Sequence, residues 1–110
     1  MPIVNIYHDK TIKQNRLENS SELLKTFIAD QLSCNDITLS SQEITIRLLS
    51  IESNTMIATV ELEIFAYAFP KRVEKQDEIC RNIRKFLLDK LPNVTDIRVW
   101  LILSELGHSW

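Results

Sequence analysis

The sequence predicts an α+β fold in which two helices cover one face of a four-stranded sheet, in the order β-α-β-β-α-β. Four segments alternate between apolar and polar residues, as strands do, and two longer segments carry apolar residues at helical spacing. These segments follow one another as strand, helix, strand, twice over. Each strand–helix–strand unit crosses over right-handedly, so we expect both helices on one face of a single sheet.

The first half of the chain predicts one strand, one helix and a second strand. Residues 3–7 (IVNIY) form the strand, and the polar stretch DKTIKQNRLENS leads to a helix within NSSELLKTFIADQLS. Asn19 or Ser20 is the expected N-cap of this helix. Its apolar face consists of Leu23, Leu24, Phe27, Ile28 and Leu32. Residues 43–51 (EITIRLLSI) alternate, which turns Ile44, Ile46 and Leu48 to one face and Thr45 and Arg47 to the other.

The second half repeats this order. A turn at SNT predicts a hairpin to the strand at residues 57–67 (IATVELEIFAY). Pro70 ends this strand, a helix follows within KRVEKQDEICRNIRKFLLDKL, and Pro92 stops the helix. Its predicted face consists of Val73, Gln76, Cys80, Ile83, Leu87 and Leu91, widened by Ile79 and Phe86. Residues 96–103 (DIRVWLIL) form the last strand.

We expect residues 1–110 to form a single domain with two similar halves, about 1–51 and 57–103. The segments SELLKTFIADQL and DEICRNIRKFLLDKL have similar beginnings and endings. Two amphipathic helices of similar size can also look alike without a duplication. Both explanations stay open, and the predicted architecture depends on neither.

Composition and charge exclude several classes of function. The net charge is −2 with no basic stripe, which excludes a nucleic-acid partner. Cys34 and Cys80 stand alone, without the spacing of a zinc site or a disulfide framework, and are expected to be small buried residues. We expect no metal and no cofactor. The N-terminus has no signal segment and no apolar run approaches about 18 residues, so we expect a cytoplasmic protein without a membrane partner.

The sheet face that the helices leave uncovered carries both polar and aromatic residues. By alternation it carries Asn5, Tyr7, Thr45, Arg47, Thr59, Glu61, Glu63, Phe65, Arg98 and Trp100. A solvated face explains the balanced charges but leaves Phe65 and Trp100 in water. Contact with sister subunits explains both features, so we favour a homo-oligomer.

Three stretches carry a resemblance to a known family: MPIVNIY at the start, FPKRVEKQDEI after the third strand and DIRVWLILSELGHSW at the end. Together with the length and the element order, they make the chain similar to the tautomerase superfamily, which includes macrophage migration inhibitory factor. Within it, the chain most resembles a small branch of uncharacterised bacterial proteins. The resemblance implies a tautomerase-like fold and a homotrimer whose three sheets surround a central channel.

The resemblance also implies that Pro2 is a general base, which moves a proton between carbon and oxygen in a keto–enol substrate. Removal of Met1 would leave Pro2 with a free secondary amine, and an α-amino group has a pKa of about 8. A base with a pKa near the working pH is the most effective one. The implied activity is the isomerisation of a small 2-keto acid.

The cation that holds the substrate carboxylate is expected to be Lys71 or Arg72, which follow the third strand. The alternative, a solvated helix start, stays open for both residues, and Arg47 and Lys10 are weaker candidates. Trp100 lies in the last strand, where macrophage migration inhibitory factor carries a pocket tyrosine, so a role in the pocket wall is implied. A core or interface position is an equal alternative for Trp100.

The remaining residues limit what the resemblance implies. His8 and His108 have no partner at catalytic or metal-binding spacing and stay unassigned. Related proteins commonly have glycine after the third strand, whereas AYAFPKR has none, so the substrate is not carried over. If Met1 stays attached, the nitrogen of Pro2 is a tertiary amide and cannot act as a base. A non-catalytic trimeric binding or structural protein with this fold is therefore the alternative to an enzyme.

Overall fold

The computed structural model describes residues 2–34, 37–52 and 58–105. The fold class is confirmed: the chain is α+β, with a four-stranded sheet and helices on one of its faces. In chain order the elements are β1 (Ile3–Asp9), α1 (Gln14–Leu32), a 3-10 turn (Ser41–Glu43), β2 (Thr45–Ile51), β3 (Val60–Tyr67), α2 (Pro70–Glu74), α3 (Gln76–Lys90) and β4 (Ile97–Ser104).

The strands lie in the order β2-β1-β3-β4, so the predicted hairpin between the second and third strands is wrong. β1 lies between them, parallel to β2 and antiparallel to β3, while β3 and β4 are parallel. Ile51 of β2 is opposite Asp9, whose N–H donates a 3.2 Å hydrogen bond to the carbonyl of Thr59. Thus β2 ends and β3 begins on opposite sides of β1. The SNT turn itself falls outside the described residues.

The predicted division of each strand into two faces is confirmed. On β1 and β3 the residues Val4, Ile6, Leu62 and Ile64 are at most 1% exposed, and they pack in one core with both long helices. That core includes Leu24 and Ile28 of α1 and Ile83 and Leu87 of α3. Burial of one such side chain stabilises the fold by about 1.5–3 kcal/mol, so the helix layer is anchored mainly by these contacts.

Helix α1 begins earlier than its sequence predicts. Its N-cap is Lys13, not Asn19 or Ser20, and no described side chain caps it. The additional turns bring Leu17 into the core, where it is 3% exposed. Leu23, which was predicted on the apolar face, is 55% exposed, so the prediction is wrong for this residue. Burial of Leu17 therefore extends the helix through a segment that looks polar in the sequence.

The second predicted helix is two helices. The chain bends at Lys75, where φ is −104° and ψ is 14°, between α2 and α3. Val73, predicted on the apolar face, lies in α2 and is 50% exposed, so the prediction is wrong for this residue. The buried residues of α3 are Ile79, Ile83 and Leu87. The break separates α2, in which only Arg72 is buried, from α3, whose apolar face packs in the core.

Side chains of α3 protect the outer edge of β4. Gln76 donates from Nε2 to the carbonyl of Leu101 at 2.7 Å, and Arg84 donates from Nε to the carbonyl of Ile97 at 3.0 Å. An exposed strand edge can pair with another chain and cause aggregation. These two bonds cover part of that edge and fix α3 along it.

Among the helices that the structure describes, none has the length and apolar character needed to span a bilayer. The division of residues 1–110 into two similar halves stays a prediction.

His8 is a buried polar residue whose ring is incompletely satisfied. It is 2% exposed, Nδ1 lies 3.1 Å from the carbonyl oxygen of Asp9, and Nε2 has no hydrogen-bond partner among the described residues. We expect His8→Leu to raise the free energy of unfolding by about 1 kcal/mol, because an unsatisfied buried polar group costs about 1–3 kcal/mol. Urea unfolding measures this change, with His8→Ala as the cavity-forming control. A loss of stability in His8→Leu would contradict the prediction.

Candidate functional site

Pro2 is held at one end of the sheet, directly before β1. It is buried, and its carbonyl accepts a 3.2 Å hydrogen bond from the N–H of Thr45. Ile3 is opposite Phe65, so Pro2 lies beside the C-terminal end of β3. By alternation with Val4, Pro2 belongs to the face that the helices cover.

The connections between strands and helices bring two helix ends to this same end of the sheet. After β1, helix α1 runs back to Leu32, and β3, antiparallel to β1, ends at Tyr67 just before α2. Between these ends lies a pocket of about 510 Å³, whose lining includes Ser33, Cys34, Lys71, Arg72 and Lys75. Asp30 and Glu78 add negative charge to its lining. Lys71 and Arg72, both predicted from the sequence, are therefore brought together here.

Arg72 joins the end of α1 to the end of β3. Its side chain is buried, with the residue 3% exposed, and donates from Nε to the carbonyl of Leu32 at 2.8 Å and from Nη1 to the carbonyl of Tyr67 at 3.0 Å. The guanidinium carbon lies 4.8 Å from the centre of the Phe69 ring. Burial lowers the pKa of Arg72, and nearby Cys34 partly offsets this shift.

The charge of Arg72 has no acidic partner among the described residues. Arginine is rarely buried without a carboxylate, because desolvation of an unpaired charge is costly. Backbone carbonyls and an aromatic ring compensate part of this cost. The wall of the pocket thus contains a buried positive charge that forms no ion pair with a described carboxylate.

Lys71 is in a different environment. Its ammonium lies 3.7 Å from the carboxylate of Glu74, and both side chains are largely exposed. Such surface ion pairs contribute roughly 0–1 kcal/mol. The Lys71 side chain is therefore held only weakly in this position.

The sequence did not single out Cys34 and Lys75 as parts of this site. Cys34 is a free, half-buried thiol, whereas full burial was expected. The predicted right-handed crossovers could have indicated that the end of α1 and the start of α2 meet, but not which side chains share the pocket.

Cys80, the second free cysteine, is also half-buried. Burial raises the pKa of its thiol, the backbone of Leu101 partly opposes this shift, and the charge of Asp77 adds to it.

Trp100 lies elsewhere in the single chain. It is 38% exposed and lines a separate groove of about 380 Å³ with residues of α3 that include Cys80 and Arg81. Its register partner is Glu63, on the uncovered face of the sheet, whereas Pro2 belongs to the covered face. Neither Pro2 nor Trp100 is among the described residues that line the pocket of Lys71 and Arg72.

The weaker cation candidates lie away from Pro2. Arg47 is exposed and opposite Asn5, on the uncovered face. Lys10 follows the far end of β1, roughly 25 Å from Pro2 at strand spacing. It forms a 2.7 Å ion pair with Glu52. His108 falls outside the described residues.

The uncovered face combines a polar network with exposed apolar side chains. The hydroxyl of Tyr7 donates a 2.6 Å hydrogen bond to Oε1 of Glu63, and this bond, with burial and the charges of Glu63 and Glu61, raises the pKa of Tyr7 above 10.0. Arg98 is opposite Glu61 in the register. The exposed apolar residues include Trp100 and Ile102, which is 39% exposed.

Within residues 2–34, 37–52 and 58–105, no group of three or more histidine, cysteine, aspartate or glutamate side chains could hold a metal ion.

No protein-family model matches the sequence, and no curated protein matches it. Solved structures do match. A fused 4-OT wild-type symmetric trimer is 22% identical, with 96% of this chain and 89% of that chain covered and a TM-score of 0.66. Malonate semialdehyde decarboxylase inhibited by 3-bromopropiolate is 10% identical, with 98% and 89% covered and a TM-score of 0.68.

A macrophage migration inhibitory factor-like protein from Entamoeba histolytica is 10% identical, with 98% of this chain and 95% of that chain covered and a TM-score of 0.65. These similarities confirm that the chain has the fold of the tautomerase superfamily. At these identities they establish the fold alone. Membership of a bacterial branch stays a prediction.

Proposed function

We propose that the protein is a tautomerase-like isomerase that interconverts the keto and enol forms of a small 2-keto acid, without a cofactor, and that Pro2 is its general base. The observation that supports this most is the buried position of Pro2 at the end of the sheet where the pocket of Lys71 and Arg72 also lies. In a tautomerase fold, this arrangement would place the proposed base at the same end of the sheet as the cationic pocket.

Pro2 would act through its secondary amine once Met1 is removed. Burial generally lowers the pKa of an amine, because it disfavours the charged form, and so brings an N-terminal amine towards neutral pH. The proline ring limits the directions in which the nitrogen lone pair can point. In one direction the base would take a proton from the carbon next to the carbonyl and return it to the oxygen, and in the other it would take the enol hydroxyl proton and return it to the carbon.

Arg72 and Lys71 would bind the substrate carboxylate. Nε and Nη1 of Arg72 already bind carbonyls, so its Nη2 donors are the ones that we assign to the substrate. Lys71 would move from Glu74 to the ligand at little cost. Positive charge at this position would also stabilise the developing enolate.

We further propose that the protein is a homotrimer and that Trp100 reaches the site of a neighbouring subunit. Within one chain, Pro2 and Trp100 belong to opposite faces of the sheet, so a pocket that contains both needs a second copy. The fused 4-OT is a trimer in its solved structures. Packing of the uncovered face against sister subunits would also bury its apolar residues.

The trimer predicts a solution mass of three times the 12.8 kDa of one chain. Phe65→Glu adds a third carboxylate beside Glu61 and Glu63, and we expect it to favour the monomer, whereas Lys85→Glu on exposed α3 keeps the wild-type mass. Light scattering after gel filtration measures both masses.

Fluorescence gives a second test of the trimer. In a Trp110→Phe background, we expect Trp100 to emit as a buried indole. A wild-type mass of one chain, with an exposed indole, would rule out the trimer.

A non-catalytic trimeric binding or structural protein is the alternative. It is favoured by Arg72, which is 3% exposed and already bonded to two carbonyls, as a purely structural residue would be. A cytoplasmic location, a bacterial origin and the absence of membrane and nucleic-acid partners belong to both proposals and rest on the sequence.

The experiment that separates the two proposals compares the protein with and without Met1 on the enol of phenylpyruvate. The isomerase requires that only the form without Met1 turns over at an enhanced rate. Equal rates for the two forms would exclude the Pro2 amine as the base, and no turnover by the Met-free form would favour the non-catalytic protein.

A further inference from the structure

A second pocket lies at the end of the sheet opposite to Pro2, and the proposed function does not use it. Its volume is about 410 Å³, and it forms where β1 leads into α1, where the chain enters β3 at Thr59 and where it leaves α3 at Leu91. Leu91 and Val94 are 2% and 7% exposed and provide an apolar floor. The pocket therefore combines a buried apolar surface with a polar rim.

The charge of this rim has a single sign. Among the described residues that line the pocket, Lys13 and Arg16 are cations and none is acidic. The pocket near Pro2 has acidic residues among its cations, and the groove at Trp100 has Asp77 beside Arg81. Neither Lys13 nor Arg16 forms an ion pair with another described residue. The side chains that line this pocket thus carry a net positive charge.

Neutral side chains add hydrogen-bonding groups to the same rim. Thr59, Thr95 and Asn93 line the pocket, while the hydroxyl of Thr11 already donates to the carboxylate of Asp9. Helix α1 also begins here, and the positive end of its dipole adds to the potential of Lys13 and Arg16. Cations, hydroxyls and an amide above an apolar floor suit an oxyanion on an apolar body.

We propose that this pocket binds a small molecule that carries a carboxylate or phosphate on an apolar body. Lys13 and Arg16 pair with the oxyanion, Thr59, Thr95 and Asn93 donate hydrogen bonds to it, and Leu91 and Val94 contact the apolar body. This site is separate from the pocket of Lys71 and Arg72, so it does not require the proposed isomerase activity.

The full chain, with Met1 either retained or removed, is titrated with phenyl phosphate, benzoate and neutral phenol. Amide NMR and calorimetry measure the binding of each compound. We expect the two anions to shift the amide resonances of residues 11–16, 59 and 93–95, and phenol to bind at least several-fold more weakly. Binding of both anions indicates a general oxyanion site, and binding of phenyl phosphate alone indicates a phosphate site. Higher salt should weaken either interaction.

Lys13→Gln and Arg16→Gln are each expected to weaken binding about two- to five-fold, as exposed charge pairs do, and together about ten-fold. Lys25→Gln, on the same helix but outside the pocket, is the matched control and should bind as the wild type does. Circular dichroism checks that α1 is retained in each variant. The proposal is overturned by absence of binding at millimolar anion, by equal binding of phenol, by unchanged affinity in the double variant, or by resonance shifts confined to the pocket of Lys71 and Arg72.

Discussion

Replacement of Pro2 by alanine is expected to lower keto–enol turnover by about 10²–10⁴-fold and to leave the fold intact. A positioned base typically contributes this factor to a rate. After Met1 is removed, the variant begins with an alanine, whose primary amine is differently basic and less restrained in direction. Steady-state assays on the enol of phenylpyruvate measure the loss, and unfolding in urea checks the fold.

Lys71→Ala is the matched control for this experiment. If Lys71 only binds the carboxylate, its loss should raise KM with little change in kcat, whereas Pro2→Ala should lower kcat. Mass spectrometry of each preparation must establish that Met1 has been removed. A kcat for Pro2→Ala equal to that of the Met-free wild type would show that the reaction does not depend on the proline amine.

Arg72→Ala is expected to lower the free energy of unfolding by about 2–4 kcal/mol, the largest effect that we predict on stability. The change removes hydrogen bonds to the carbonyls of Leu32 and Tyr67 and leaves a cavity beside Phe69. A buried carbonyl that loses its partner costs about 1–3 kcal/mol, and a truncated side chain adds a packing loss. Urea unfolding at one fixed protein concentration measures the change, because assembly makes stability depend on concentration.

Two further variants separate the structural role of Arg72 from its charge. Arg72→Lys keeps the charge but cannot reproduce the forked geometry, so we expect an intermediate loss of about 1–2 kcal/mol. Lys71→Ala, next to it but exposed, should change stability by no more than about 0.5 kcal/mol. If Arg72→Ala unfolds at the wild-type urea concentration, the guanidinium does not hold α1 to β3, and a role limited to ligand binding would be favoured.

The site could be predicted only in part. The sequence indicated Lys71 and Arg72 as neighbouring cations, and the structure brings both to one pocket. Two adjacent basic residues in a sequence do not indicate that the lysine is exposed and the arginine is buried. That difference arises because Arg72 meets the carbonyl of Leu32, a residue 40 positions away in the chain. Cys34, two residues after Leu32, lines the same pocket.

Alternation by itself determined which side of each strand is buried, and the order of strands and helices, through the right-handed crossover rule, determined that both helices lie on one side of the sheet. These patterns report the environment of a side chain, and the environments of Ile6 and Leu62 follow directly from them. They do not identify the element that provides the burial. The tertiary structure alone decided that β1 separates β2 from β3, that Leu17 extends α1, and that Arg72 contacts the end of α1. The physical reason is that strand neighbours and helix ends are set by contacts between segments far apart in the chain, whereas periodicity is a local property.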